Sequence, residues 1–397
     1  MSAAGAWYAA SRLLTLLMIA LEPAVLADPM KWLIELDQVG PARALPEYPW
    51  PSVALMHLPM RLGIPTIVHY YAVVIAFMLV VDAVMAWLLW RSGGSRMGPG
   101  LQVWLLYAPA LGPLIFTRFD VLPAALVAAA LLGLSAGRAA SSGALAGLGA
   151  GFKLWPAAAF PALLVPMEWR TRLRALASIT GAGLALAVAT AAAAGWGRLW
   201  SPLASQAERG LQLEAFAALP LLWARYLDAS GGWSVRYAEC KCHEIFGPGV
   251  PAAIHGGTYA LIFGSIAVLA LHARAFAAPR ERRTAAVSAM LTALIVIAWL
   301  IGGRVFSPQY LIWLTAPVAA LGALPGRQLP PADVALIVLI ALLTHVVFPY
   351  GYESLISEPD GRQALFLAAM TIRDALIAAL AVRLAARLWH ATTPENA

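Results

Sequence analysis

The chain has 397 residues, of which 61% are hydrophobic and only 12% charged, and its mean hydropathy is +0.76. A water-soluble domain carries about twice that charged fraction, and the apolar blocks run the whole length, which excludes disorder, coiled coil, collagen and a small disulfide scaffold. The net charge of +7 comes from 24 Arg and 3 Lys against 20 acids; the bases lie between apolar runs, where the positive ends of membrane helices explain them better than nucleic-acid binding does.

The composition predicts an all-α polytopic membrane protein forming a single integral-membrane domain over 1–397. A spanning helix needs about 20 apolar residues. Ten full spans are predicted, at 8–27, 66–90, 101–117, 120–137, 175–195, 256–273, 284–302, 310–325, 332–349 and 364–388. Val25-Leu26-Ala27 loosely fits a signal-peptidase site, but Glu22 and Pro23 interrupt the apolar run, so an uncleaved first helix is expected. With the N-terminus inside, the inner loops collect Arg91 and Arg96, Arg138, Arg170, Arg172 and Arg174, then Arg274, Arg280, Arg282 and Arg283, and Arg327. Arginines retained on one side are the expected signature of cytoplasmic loops.

Residues 143–167 do not fit as a simple span, because Arg138 and the Arg170 cluster that flank them both belong inside. A re-entrant or short helical hairpin resolves this: about ten helical residues reach only to mid-bilayer, and the turn there holds Lys153, Trp155 and Pro156. The outside then receives two long loops, at 28–65 and 196–255, the second with an interfacial helix ending near Tyr226, and short ones near 118, at 303–309 and at 350–362. No internal repeat is visible.

Most polar residues of note fall on the outer side. Asp28 follows the first span directly and places a carboxylate at the membrane surface, where such a group can act as general base towards a sugar hydroxyl; an ordinary helix-terminal Asp is the plain alternative. Glu47-Tyr48-Pro49-Trp50-Pro51 is a proline-stiffened loop that can position an acid, or simply a turn with interfacial aromatics. Arg118-Phe119-Asp120 makes a small polar node between two spans, or a salt-bridged helix connection. Lys153 stands alone in an apolar hairpin, where a charge usually faces a cavity, a partner or an anion. Glu208-Arg209-Gly210-Leu211-Gln212-Leu213-Glu214 offers an Arg suited to a lipid-borne phosphate, and Arg304-Val305-Phe306-Ser307-Pro308-Gln309-Tyr310 adds a guanidinium, an amide and a phenol. Asp82, Arg373, Asp374 and His345 lie within spans and are expected to pair with one another. Cys240-Lys241-Cys242-His243 lacks a fourth ligand and the usual spacing for zinc, and a disulfide there would close a strained small ring. No metal and no cofactor is expected.

Taken together, the order of these segments resembles a family. An acid after the first span, an EYP loop, a RFDxLPA turn, a GLGAxxKLxP hairpin, ERGLQLE and FSPQYLxW are together similar to the polyprenol-phosphate-sugar-dependent glycosyltransferases of the C superfamily, most closely glycosyltransferase family 87, over roughly residues 10–325. The resemblance implies a multi-span helical enzyme in the cell membrane with an extracytoplasmic active site. It implies transfer of mannose or arabinofuranose from a polyprenyl-phosphate donor to a glycolipid or cell-envelope glycan acceptor, with inversion. On this reading Asp28 matches the first-loop base, Glu47 the acid of the EYPP loop, Lys153 the hairpin lysine, and Arg209 and Glu214 the RGLQxES segment; here EYPP reads EYPW and the Glu-Ser pair reads Glu214-Ala215. Tyr48, Arg118, Asp120, Arg304, Gln309 and Tyr310 complete the expected substrate-binding set. Asp37 and Glu47 compete with Asp28 for the role of base. Membrane lipids are expected neighbours and nucleic acid is not. The alternatives are a lipid or solute transporter or flippase, and a non-catalytic membrane subunit; the long outer loops argue against the transporter.

Overall fold

The computed structural model describes residues 3–63, 66–228, 230–239, 241–326 and 329–393; Arg327 and Cys240, named above, lie outside them. The chain opens with α1 (Ala3–Met18) and then bends by 92° at the break before Pro23 into α2 (Ala27–Val39). The apolar run predicted to reach residue 27 therefore ends early, because proline contributes no N–H and its ring clashes with the preceding turn. The stretch expected to be a loop at 28–65 holds α2 and α3 (Trp50–Arg61). Asp28 thus occupies the first turn of a helix.

The chain continues through α4 (Ile67–Ser92), α5 (Pro99–Leu111), α6 (Val121–Ser135), α7 (Ala139–Phe152) and α8 (Trp169–Ala194). After a short helix, α9 (Leu219–Leu227), comes a hairpin of β1 (Ser234–Tyr237) and β2 (His243–Phe246), the one sheet among the described residues. Then follow α10 (Val250–Ala277), α11 (Ala285–Gly302), α12 (Tyr310–Ala323), α13 (Pro331–His345) and α14 (Gln363–Thr392). Six segments are long and apolar enough to cross a membrane, namely α4, α8, α10, α11, Pro331–Ile356 and α14, or seven with the bent α1–α2 pair counted as one. The chain is an all-helical, multi-pass membrane protein. The runs expected as spans at 101–117, 120–137 and 310–325 form α5, α6 and α12, of 13, 15 and 14 residues. α12 is buried along nearly its whole length and α6 largely so, as an all-round apolar helix requires, whereas α5 leaves Gln102 and Leu106 exposed on one side.

Close helix crossings are made at glycines. A Cβ added at Gly143 would lie 2.4 Å from the Ala175 carbonyl oxygen, at Gly147 2.7 Å from that of Ile179, and at Gly151 2.1 Å from Leu186 Cδ1. Gly143, Gly147 and Gly151 share one face of α7 at four-residue spacing, the small-residue stripe that lets backbones approach in an apolar medium. The partner residues on α8 rise in number along with the glycines, so the two helices run in the same direction and start at the same end. Between them the 3₁₀ turn Trp155–Ala159 and the helical turn Phe160–Leu164 return the chain to the end from which α7 set out. Lys153 sits at the far end of this excursion.

Buried charges tie distant helices together. Arg12 on α1 grips Asp82 on α4 with two bonds of 2.8 and 2.7 Å, and Tyr8 and the Trp104 indole donate to the same carboxylate at 2.8 Å each. His345 lies 2.9 Å from Glu22, which also accepts from the Tyr350 hydroxyl at 2.7 Å. Gly112 leaves room for that imidazole, since a Cβ there would come within 2.5 Å of His345 Nε2. Of the mutual pairing expected among Asp82, Arg373, Asp374 and His345, only Arg373–Asp374 forms, at 2.9 Å. Asp82 pairs with Arg12, 70 residues away, and His345 with Glu22, 323 residues away, separations that periodicity does not encode.

Gly147→Leu is expected to destabilise the folded protein by about 1–3 kcal/mol through overpacking against α8, whereas Gly181→Leu, which meets nothing within 4 Å, is expected to be neutral. Thermal unfolding of the two purified variants in detergent distinguishes them; equal melting would mean that the glycine stripe is not a packing interface.

Candidate functional site

The residues singled out on the outer side gather around two ion pairs. Arg118 Nε lies 3.0 Å from Asp28 Oδ2, and Arg118 Nη1 donates to the Val25 carbonyl at 2.7 Å, so one guanidinium fixes both the first turn of α2 and the turn leading into it. Asp120 is fully buried; it accepts from Lys153 Nζ at 2.6 Å and from the Trp313 indole. Arg118 and Asp120 were expected to make a node of their own, but each pairs elsewhere. Arg118 is extended, at φ −122° and ψ 145°, and residues two apart around such a backbone leave for different partners. The second oxygen of Asp120 is buried with no hydrogen-bond partner among the described residues.

Lys153 is ringed by aromatics. Its Nζ stands 5.2 Å from the Tyr48 ring, 5.2 Å from that of Trp313 and 5.7 Å from that of Tyr310, distances at which ring quadrupoles attract a cation. Tyr310 stacks on Trp313 at 3.9 Å, and Trp313 on Trp155 at 5.5 Å. The extended residue Lys153 ends α7, and Ser52 of α3 donates to the carbonyl of its neighbour Phe152. The loop bearing Glu47 and Tyr48 is thereby held against the hairpin turn.

Burial, followed by the nearby charges of Asp28, Asp120 and Glu47, pushes the Tyr48 hydroxyl well above its usual range. It therefore remains a proton donor among three carboxylates. Glu47 is largely buried, which opposes ionisation, yet its charge and hydrogen bond with Lys31 at 2.6 Å hold it below the usual carboxylate range, with Arg209 contributing. Arg198 donates to the carbonyls of Ala44, Leu45 and Tyr48 at 2.7, 2.9 and 3.3 Å and closes this loop from the far side.

Arg209 and Arg304 are brought together, Arg304 Nη1 donating to the Arg209 carbonyl at 3.1 Å while its own carbonyl accepts from the Gln212 amide at 3.0 Å. Leu211 and Leu213 add as a short third rung to β2, and Glu244 caps the Gly210 amide at 2.7 Å. Gln309 is the residue before α12 and is half-buried beside Tyr310.

Glu214 takes its hydrogen bonds elsewhere. It is fully buried against α14, where Arg373 donates to its carboxylate at 2.9 Å and to its carbonyl at 3.2 Å while also holding Asp374. Burial, only partly offset by Arg373, pushes Glu214 up to about 7, because Arg373 divides its charge between two acids. Glu214 therefore fastens the segment before α9 to the last helix of the described residues. Sequence reasoning did not single out Trp313, Lys31 or Arg198 as site residues. Trp313 was visible as the last letter of FSPQYLxW, whereas the other two carried no local signal. No group of three or more His, Cys, Asp or Glu that could hold a metal ion occurs among the described residues.

A carboxyl raised from 4.5 to about 7 on folding binds its proton more tightly in the native state, so its contribution to stability is full below about pH 4.5 and is lost as pH rises through about 7. The melting temperature is expected to fall between pH 5 and pH 8, and Glu214→Gln to flatten that slope; an unchanged slope in the variant would assign the pH dependence to another group.

The geometry can be set beside known proteins. No curated protein matches the chain. The model of glycosyltransferase family 87 matches residues 48–308, a stretch that runs from Tyr48 through Arg118, Asp120, Lys153 and Arg209 to Arg304 and covers more than half of the 397 residues. The expected resemblance is borne out: the chain belongs to glycosyltransferase family 87 and is a multi-pass membrane glycosyltransferase.

Proposed function

We propose that this glycosyltransferase takes mannose or arabinofuranose from a polyprenyl-phosphate donor and passes it, with inversion, to a glycan or glycolipid acceptor at the extracytoplasmic face of the cell membrane. The observation that carries the reading is the meeting of an apolar groove with the charged cluster. The groove, of about 500 Å³, runs between α3 and α4 past Met56, Pro59, Phe77 and Met78 and ends on Trp32 and Phe119. Trp32 adjoins Lys31, and Phe119 lies between Arg118 and Asp120. Trp32 and Phe119 both pack edge-on against Tyr48, at 6.2 and 6.5 Å. A lipid chain laid in such a groove delivers its phosphate to Arg118 and Lys153.

In this mechanism Asp28 takes the proton from the acceptor hydroxyl as that oxygen attacks the anomeric carbon. The departing lipid phosphate is already an anion, so it needs cations and no general acid; Lys153, Arg209 and Arg304 supply them, acting where charge develops. Asp28 is favoured over its rivals by its surroundings. Asp37 lies nine residues further along α2, on the opposite helical face, and is exposed; Asp28 and Glu47 each have a cation beside them, but the Asp28 side chain is 31% exposed and that of Glu47 14%. Glu47, Tyr48, Asp120, Gln309 and Tyr310 hold the sugar and the cations in place. The positive-inside pattern supports this face being external, with α5, α6 and α12 as further spans beside the six long ones, and with 143–167 as a re-entrant hairpin.

The test uses purified protein in nanodiscs, polyprenyl-phosphate-mannose and polyprenyl-phosphate-arabinofuranose as donors, and a panel of lipid-linked acceptors. Removal of a general base costs 10²–10⁴-fold in general, so Asp28→Asn is expected to lower transfer at least about 100-fold with its melting temperature within a few degrees of wild type. Lys153→Met is expected to raise the donor KM as well as lower the rate. Full activity in Asp28→Asn would move the base elsewhere, and consumption of neither donor would overturn the lipid-phosphate reading.

A further inference from the structure

A second charged site lies at the end of the bundle opposite Lys153. The chain returning from the hairpin turn and the loop before α11 meet there and line an open pocket. Its charged walls are Arg172, Arg280 and Arg283, with Glu168 as the one acid, and Pro166 and Met167 give it an apolar floor. The two segments that form it, 166–174 and 278–284, together carry six arginines and two glutamates. Arginines retained inside a membrane commonly extend into water and need no ligand. Arg172 and Arg283 are instead half-buried, each anchored through Nε alone: Arg172 to the Leu164 carbonyl at 3.0 Å and Arg283 to the Ala278 carbonyl at 2.8 Å. Their terminal nitrogens have no hydrogen-bond partner among the described residues. Arg172 is further fixed over the Phe276 ring at 4.9 Å, and Arg280 pairs with Glu168 across the mouth.

The geometry points to a binding site for the phosphate of an anionic membrane lipid, a site distinct from the transfer chemistry and independent of it. Two guanidinium forks with their outer nitrogens free present the planar, bidentate donor pattern that phosphate oxygens accept. Basic pockets between spanning helices at the inner side are a recurrent form of lipid headgroup recognition. The apolar floor and the 66% exposed Trp169 at the rim favour a lipid over free phosphate, because an indole at headgroup level and an apolar wall suit a glycerol backbone with acyl chains attached. A lipid held there joins the foot of the hairpin that carries Lys153 to the loop leading into α11.

The test is native mass spectrometry of the full-length protein released from nanodiscs of mixed phosphatidylglycerol and phosphatidylcholine. Arg280→Gln/Arg283→Gln is compared with wild type and with the charge-matched control Arg236→Gln/Arg362→Gln, whose residues lie in the outer loops. Wild type and control are expected to retain phosphatidylglycerol over phosphatidylcholine, and the pocket variant to lose at least fivefold of that retention while melting normally in lipid-free detergent. Equal retention by the pocket variant overturns the site. Displacement of the lipid by millimolar glycerol phosphate or inorganic phosphate as readily as by added phosphatidylglycerol overturns the lipid assignment in favour of a soluble anion. A pocket variant that fails to fold is replaced by Arg283→Lys, which keeps the charge and loses the fork; it is expected to retain an intermediate amount, and undiminished retention counts against the proposal.

Discussion

A charge placed inside an apolar bundle has to be met by another charge, and this requirement organises the molecule. Desolvating an ion costs several kcal/mol even after relaxation, and removing one member of a buried pair leaves the other stranded. Arg12 therefore meets Asp82, Lys153 meets Asp120, and Arg373 meets both Glu214 and Asp374, while Glu22 is hydrogen-bonded to His345 and Tyr350. All of these contacts except Arg373–Asp374, which lies within one helix, join segments that composition alone would leave free to slide, since one apolar helix face resembles another. Polar pairing supplies the register that greasy packing lacks.

The pairs differ in how fully their acceptor positions are filled and in what surrounds them. Arg12–Asp82 is saturated: Tyr8 and Trp104 fill the remaining acceptor positions of the carboxylate. Asp120 keeps one oxygen without a partner among the described residues, and its lysine stands in an aromatic cage. Glu214 and Asp374 likewise each keep one buried oxygen with no partner among the described residues, so an open acceptor position does not by itself separate the two groups. What sets the Asp120 pair apart is the set of aromatic rings around its cation.

Much of this was legible in the sequence, for identifiable reasons. Apolar run lengths revealed the long helices, and the order of short motifs revealed the family, because both are local properties of the string. The mid-hairpin lysine stood out through its isolation. What could not be read is who meets whom. Arg118 and Asp120 look like a pair two residues apart and are not one; Glu214 looks like a site residue and turns inward to a helix 159 residues later. Lys31 and Arg198 are ordinary surface-type residues until the fold sets them against Glu47 and the Tyr48 loop. The early end of the first helix was written in Glu22-Pro23, and a stricter reading of that proline would have turned the expected loop into α2.

The separation of these partners along the chain bears on how the protein is made. Asp120 leaves the ribosome 193 residues before Trp313, and the loop around Tyr48 waits 150 residues for Arg198. The early segments enter the bilayer before some of their final neighbours exist, the carboxylate of Glu22 preceding His345 by 323 residues. Biogenesis therefore has to shelter half-matched charges at the insertion machinery until late segments arrive. A chain truncated ahead of Trp313 carries every residue expected to contact the departing phosphate and still lacks the indole that holds Asp120 in place.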